Sequence, residues 1–452
     1  MKSLNAKPPN MIGIWRKFYA RPLVKDAFTT TIWNVIGKGI GILIPFFIAA
    51  WYGVSVKTDI FFFVYGIVIY LTGVFSRSLE SNIVPFIADL RQKAEKKIPD
   101  FITKLLLLSF LAMIILVCIF LLLARPLLSL ITRFPEGSFQ LLLQLFLEIS
   151  PFLILVVCSS ILIGVLNAYF KFWLPAVSPG IRAIVCIATI FALRQKIGIH
   201  AIVVGYILGE LLRLIVFGYV LTRKKLISLR INFVFDRTII NFFKTLSFQM
   251  FGLVAIGLNP VVDKIMASWL TTGSVSVLQY ADRLYFIPVN FIASGLIVAV
   301  LSHWSEKYYR NKKTQVLKRD MHKAIGIVSL VTISLTVFLS FFARQIVNIA
   351  YGRGEFPLEM LVLVKATFLC YLVGITFSLS NQIVIRALLV LKNTKAIMKG
   401  AFLSTISNIF LNILLMRFFA VAGIAFATSL VNAASLLFLY LQFKISVRKE
   451  LT

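Results

Sequence analysis

Apolar residues in this chain gather into long unbroken runs, separated by short polar segments rich in Lys and Arg. A helix needs about 20 apolar residues to cross a bilayer. Twelve runs approach or exceed that length: 29–52, 60–76, 104–124, 139–166, 175–193, 200–222, 239–260, 284–302, 323–342, 358–385, 400–417 and 421–443. No connecting segment is long enough for a soluble domain. The pattern predicts an all-α polytopic membrane protein of about 12 transmembrane helices, numbered here as spans 1 to 12.

Composition agrees. Of 452 residues, 60% are hydrophobic and 14% charged, and the mean hydropathy is +0.93. Soluble chains run near 45–50% apolar and about 25% charged, so a soluble enzyme, a disulfide scaffold and a disordered chain are all excluded. The four cysteines lie inside apolar runs without a CxxC pair, and the three histidines are scattered. Neither disulfide nor metal site is expected, and no cofactor. The first 28 residues lack the apolar core of a cleavable leader.

Charge fixes the expected topology. The net charge of +30 would point to nucleic acid in a soluble chain, but here it follows the positive-inside rule. Of 47 Lys and Arg, 34 fall in the N-terminal segment, alternate loops with the span ends that adjoin them (Arg182 and Lys244 among these), and the C-terminal segment. Ten fall on the other side, and Lys38, Arg213 and Lys365 lie within spans. Both termini are therefore expected in the cytoplasm.

The chain also repeats itself. Asp59 opens span 2 in GVSVKTDIFFFVYGIVIYL, and Asp282 opens span 8 in GSVSVLQYADRLYFIPVNF. IGIHAIVVGYILGELLRLIVF resembles VAGIAFATSLVNAASLLFLYL. The offsets are 282 − 59 = 223 and, for Gly198 and Gly423, 225. Two six-helix lobes in the same orientation follow, facing each other across a central cavity. The expected division is a segment 1–28, an N-lobe 29–222, a linker 223–238, a C-lobe 239–443 and a tail 444–452.

No nucleotide-binding loop, HExxH or GxSxG motif is present, which disfavours a pump or a hydrolase. Charge inside the membrane then carries the chemistry. Lys38 lies near mid-span, beside Gly37, Gly39 and Gly41. It reads as an anion site in the cavity or as the partner of a buried carboxylate. Arg283 could grip a phosphate bidentately with Asp282 orienting it, or snorkel to water. Asp59 and Asp263 are site carboxylates or helix caps. Glu210 and Arg213, three residues apart on span 6, read as a structural ion pair. Glu148 and Lys365 are candidate cavity or ion-coupling groups.

Several segments, in order, resemble the MurJ/MviN family of lipid II flippases. They are YGVSVKTDIFFFVYGI, NIVPFIADLRQK, VDKIMASWLTTGSVSVLQYADRLYFIPVNFIASGLIVAVL, NIAYGRGEF, ALLVLKNTKAIMKGAFLSTISNIFLNILL and AGIAFATSL. The resemblance spans most of residues 30–445. It implies the two-lobed fold of the multidrug/oligosaccharidyl-lipid/polysaccharide exporter superfamily, in a bacterial cytoplasmic membrane. It implies movement of undecaprenyl-pyrophosphate-linked peptidoglycan precursor between leaflets, by a chain that works as a monomer without nucleotide or nucleic acid. The family's cavity arginines, which hold the pyrophosphate, fall on Arg283 and on Lys38; its span 2 aspartate falls on Asp59. Its second span 1 arginine falls on Ile44. Its mid-span 2 arginine falls near Leu71 and Thr72, with Arg77 the nearest substitute. The family pattern has fourteen spans, and twelve fall here. These departures leave room for another polyprenyl-linked oligosaccharide as cargo. A cation-coupled drug antiporter would need a cavity lined by carboxylates, which Lys38, Lys365 and Arg283 oppose. A non-transporting scaffold would leave the buried charge without purpose.

Overall fold

The computed structural model describes residues 22–227, 237–293, 304, 308 and 314–451. Residues 1–21 of the expected N-terminal segment, 228–236 of the expected linker, and the later part of span 8 lie outside them. The described chain is helical, without strands, because a backbone in hydrocarbon must satisfy its own hydrogen bonds. In order the helices are α1 Pro22–Ile42, α2 Ile44–Tyr52, α3 Val56–Lys93, α4 Ile98–Ile131, α5 Phe139–Ala168, α6 Trp173–Ile197, α7 His200–Arg223, α8 Arg237–Ile256, α9 Asn259–Ala267, α10 Ser274–Ile292, α11 Thr314–Phe341, α12 Ala343–Tyr351, α13 Leu358–Val373, α14 Ile375–Val390 and α15 Thr394–Leu451.

Among the described residues, nine helices are long and apolar enough to cross a membrane. One of these, α15, holds two spans joined at Ala420, whose φ of 48° breaks the helix. Spans 7 and 8 are the broken helix α8–α9 and the helix α10. All twelve expected spans thus find helical segments.

The duplication is written in the backbone. Pro45 and Pro260 each sit at the second position of a nine-residue helix, α2 or α9, that continues the opening helix of its lobe beyond a break. A proline there lacks only an N–H that no turn needs. Left-handed residues recur at Phe170 and Lys392, and again at Gly198 and Ala420. Both pairs are 222 residues apart (392 − 170 and 420 − 198). This replaces the Gly198–Gly423 pairing. It also separates Asp59 from Asp282: Asp59 is the fourth residue of α3, whereas Asp282 is the ninth of α10.

In the first lobe α3 packs on α5, α5 on α7, and α6 on both α1 and α7. Close approach needs small residues. Gly205 meets the backbone of Cys186, and a Cβ at Gly209 would stand 2.6 Å from the Arg182 carbonyl. In the second lobe α15 packs on α13 and α14, and α10 on α13. The lobes meet along α3, which touches α8, α9 and α10, and where α2 touches α12.

Candidate functional site

Asp59 stands at the junction of the lobes, 3% exposed. Ser55 and Thr58 form a capping box that starts α3 and fixes the next residue, Asp59, on its first turn. The carboxylate accepts the Gly273 N–H at 2.5 Å, the Ser276 N–H at 2.8 Å and the Ser276 hydroxyl at 2.5 Å. It therefore caps α10 from the other lobe, where a negative charge meets the positive end of the helix dipole. Gly273, at φ 95°, permits the turn that presents those N–H groups.

The surrounding contacts close the same end. Tyr280 donates its hydroxyl to the Gly53 carbonyl, and Tyr351 donates to the Tyr280 carbonyl, each at 2.9 Å. The Glu355 N–H reaches the Ala50 carbonyl at 2.9 Å. Gly354, at φ 68°, lies so close to Ala50 that a Cβ would strike its carbonyl. The NIAYGRGEF segment is thus a clasp between lobes. A recess of about 570 Å³ opens beside it, lined by Val56, Asp59, Arg133, Phe134, Thr271 and Thr272 among others.

The opposite end of α3 is tied as well. Asn82 donates its side-chain amide to Gln249 Oε1, and Gln249 Nε2 donates to Ser81 Oγ at 3.1 Å. Phe86 meets Phe242 edge to face at 5.1 Å.

Between these ends lie the charged groups. Asp282 and Arg283 are two turns inside α10, not at its mouth as the hydropathy pattern predicts. The polar first turns, Ser274 to Gln279, escape an apolar scan because their burial comes from the other lobe. Arg283 Nε is buried and has no hydrogen-bond partner among the described residues. Its guanidinium carbon stands 5.9 Å from the Phe286 ring centroid, and it lies within electrostatic reach of Tyr206 on α7. Asp282 lies within reach of Arg283 and Lys264. Lys264 escaped the sequence reading because span 7 was closed at residue 260. Its Nζ donates to the Phe62 carbonyl at 3.2 Å, across the lobe junction.

Asp263, beside it, is 5% exposed and accepts from Asn408 Nδ2 at 3.0 Å, Asn412 Nδ2 at 2.8 Å and Thr428 Oγ1 at 3.2 Å. It ties α9 to both halves of α15. Lys38 is exposed on α1, and Gly39 and Gly41 on the same stretch have open space where a Cβ would be. Glu80 lies within electrostatic reach of Lys38. Arg77 is exposed on α3. No described contact joins Lys38 or Arg77 to Arg283.

The remaining candidates stand apart. Glu210 is fully buried and receives Arg213 Nη1 on both oxygens and Arg182 Nη1 on one, all at 3.1 Å. Arg213 Nε donates to Ser178 Oγ at 2.9 Å. The cluster staples α6 to α7, with Arg182 a member the sequence did not single out. Glu148 Oε2 is 2.6 Å from His200 Nδ1. Lys365 is half-buried on α13. Among the described residues no three His, Cys, Asp or Glu side chains stand together as a metal site.

The profile of the family described as lipid II flippase MurJ matches residues 48–451. The chain belongs to that family. It is 24% identical over 440 residues to the probable lipid II flippase MurJ of Buchnera aphidicola subsp. Acyrthosiphon pisum, covering 94% of this chain and 84% of that one. It is 27% identical over 401 residues to the lipid II flippase MurJ of Thermosipho africanus, covering 88% and 80%. A solved MurJ in an inward closed conformation superposes with a TM-score of 0.79 at 24% identity, over 94% of this chain and 90% of that one. An inward-facing multidrug MATE transporter shares the fold at a TM-score of 0.73 and 13% identity, over 93% and 94%. Membership makes this multi-pass membrane protein a lipid II flippase, a transporter and not an enzyme, with a lipid-linked precursor as substrate.

Proposed function

We propose that Arg283 and Lys38 hold the pyrophosphate of lipid II while the two lobes rock to expose it to one leaflet and then the other. The observation behind this reading is Arg283, whose buried Nε has no hydrogen-bond partner among the described residues. A buried donor left unsatisfied is costly, and a pyrophosphate supplies the bidentate acceptor that an arginine fork suits. Lys38 brings the second charge from the other lobe, with Arg77 exposed on α3. Asp282 orients Arg283. A slit between the lobes leaves the polyprenyl tail in lipid.

The basic loops support a topology with both termini, and the Asn82 end of α3, on the cytoplasmic side. The Asp59 end then faces outward across the bacterial cytoplasmic membrane. Asp59 governs outer access by holding the lobes together. Membrane potential or an ion gradient drives transport, with Asp263, Glu148 and Lys365 as candidate coupling groups. The cavity needs only one chain, so the working unit is a monomer.

The test is rescue of a strain depleted of its own lipid II flippase. Wild type should restore growth. Arg283→Ala and Lys38→Ala should fail at equal membrane abundance. Full rescue by the well-expressed double variant would sink the site. Failure of well-expressed wild type would favour another polyprenyl-linked oligosaccharide, in keeping with Ile44, Leu71 and Thr72 at the family's arginine positions.

A further inference from the structure

Lys264 is a cation that crosses the lobe junction. Its Nζ donates to the Phe62 carbonyl at 3.2 Å, one turn before Gly66. Gly66 makes the notch in which it lies: a Cβ there would stand 2.5 Å from both Cδ and Nζ of Lys264. The side chain is half-buried, and its only described hydrogen bond is to that carbonyl. No described ion pair neutralises it. The neighbouring Asp263 carboxylate is engaged by Asn408, Asn412 and Thr428. Asp282 stands within reach but is shared with Arg283. An ammonium has three donors, so a neutral carbonyl leaves most of its capacity unspent.

We propose that Lys264 is a further pyrophosphate-binding residue with two positions. With the lobes together it is parked on Phe62 against Gly66. When the lobes part it loses that carbonyl and turns to the phosphate beside Arg283. Gly66 is the parking notch, so any side chain there biases Lys264 toward the phosphate. This rests on the reading that Arg283 holds the pyrophosphate, and it adds a residue of the second lobe that the closed arrangement keeps occupied.

The experiment uses the full chain in nanodiscs, with undecaprenyl pyrophosphate as the probe. Lys264→Met should weaken binding by about tenfold or more, the usual worth of one charge-assisted hydrogen bond. Lys264→Arg, which keeps the charge, should recover part of it. Gly66→Ala should act oppositely and tighten binding, because the unparked state no longer has to be drawn from a minor population. It should also lower disulfide formation in an Ala50→Cys/Glu355→Cys pair, which bridges the closed lobes. Lys264→Met binding within twofold of wild type overturns the proposal. So does Gly66→Ala weakening binding as Lys264→Met does, since both would then be packing damage. Arg283→Ala separates the two readings. If it binds as wild type, the pyrophosphate site itself is wrong. If it weakens while Lys264→Met does not, only the role of Lys264 falls.

Discussion

Asp59 accepts both the backbone N–H and the hydroxyl of Ser276, 217 residues away in the other lobe. An N-cap is normally supplied by the residue beside the helix it serves. Here the donor helix and the capping carboxylate belong to separate bodies, so the cap exists only while the lobes touch.

Asp59→Ala should therefore loosen the closed state rather than unfold either lobe. It orphans two N–H groups of α10, a loss of about 1–3 kcal/mol. Labelling of a Val277→Cys reporter by a membrane-impermeant thiol reagent should rise about tenfold or more. Unchanged labelling would show that the tyrosine and NIAYGRGEF contacts suffice alone.

Glu210→Ala should be among the most damaging single changes in the first lobe. It leaves the buried Arg213 and the half-buried Arg182 without their shared carboxylate, which costs about 3–5 kcal/mol. The melting temperature in detergent should fall sharply. Glu210→Gln with Arg213→Met should recover part of the loss, because the second charge goes with the first.

Gly209→Val tests the close approach of α6 and α7. With the Arg182 carbonyl 2.6 Å from the position of a Cβ, the helices must separate, for about 1–3 kcal/mol. Gly218→Val on the same helix, where nothing stands within 4 Å, should leave the melting temperature nearly unchanged.

Asp263→Asn should destabilise the second lobe although it is nearly isosteric. The carboxamide oxygen can keep the Asn408 and Asn412 amides, which both reach Oδ1, but its NH2 then faces the Thr428 hydroxyl that donates to Oδ2. A fall in melting temperature corresponding to about 1–3 kcal/mol is expected, and adding Thr428→Val to Asp263→Asn should cost little more.

The helices were legible in the sequence because hydrocarbon admits few alternatives, and the resemblance carried the two-lobed arrangement. Individual residues were harder. Arg283 was found by its motif but set too shallow, since the polar start of α10 is buried by contacts from α3 that no local pattern contains. Lys264 was missed because a charge seemed to end an apolar run that continues to Ala267. Asp59 could be placed on the first turn of α3, but nothing nearby tells that its acceptors serve a helix in the other lobe. Gly354 and Phe356 were visible only as part of a resemblance; the close approach of Gly354 to Ala50 and the Phe356 ring 5.5 Å from that of Tyr280 give that motif its physical reason.

One helix carries a tie to the other lobe toward each of its ends. Asp59 and Asn82 lie 82 − 59 = 23 residues apart on α3, about 35 Å at 1.5 Å per residue, somewhat more than the ~30 Å depth of the hydrocarbon. A bar of that length, fastened at both faces, can tilt to release one fastening while pressing the other shut. Such leverage would let a bulky headgroup pass while one fastening stays closed, so that ions would meet no path open at both faces and the membrane would keep its voltage.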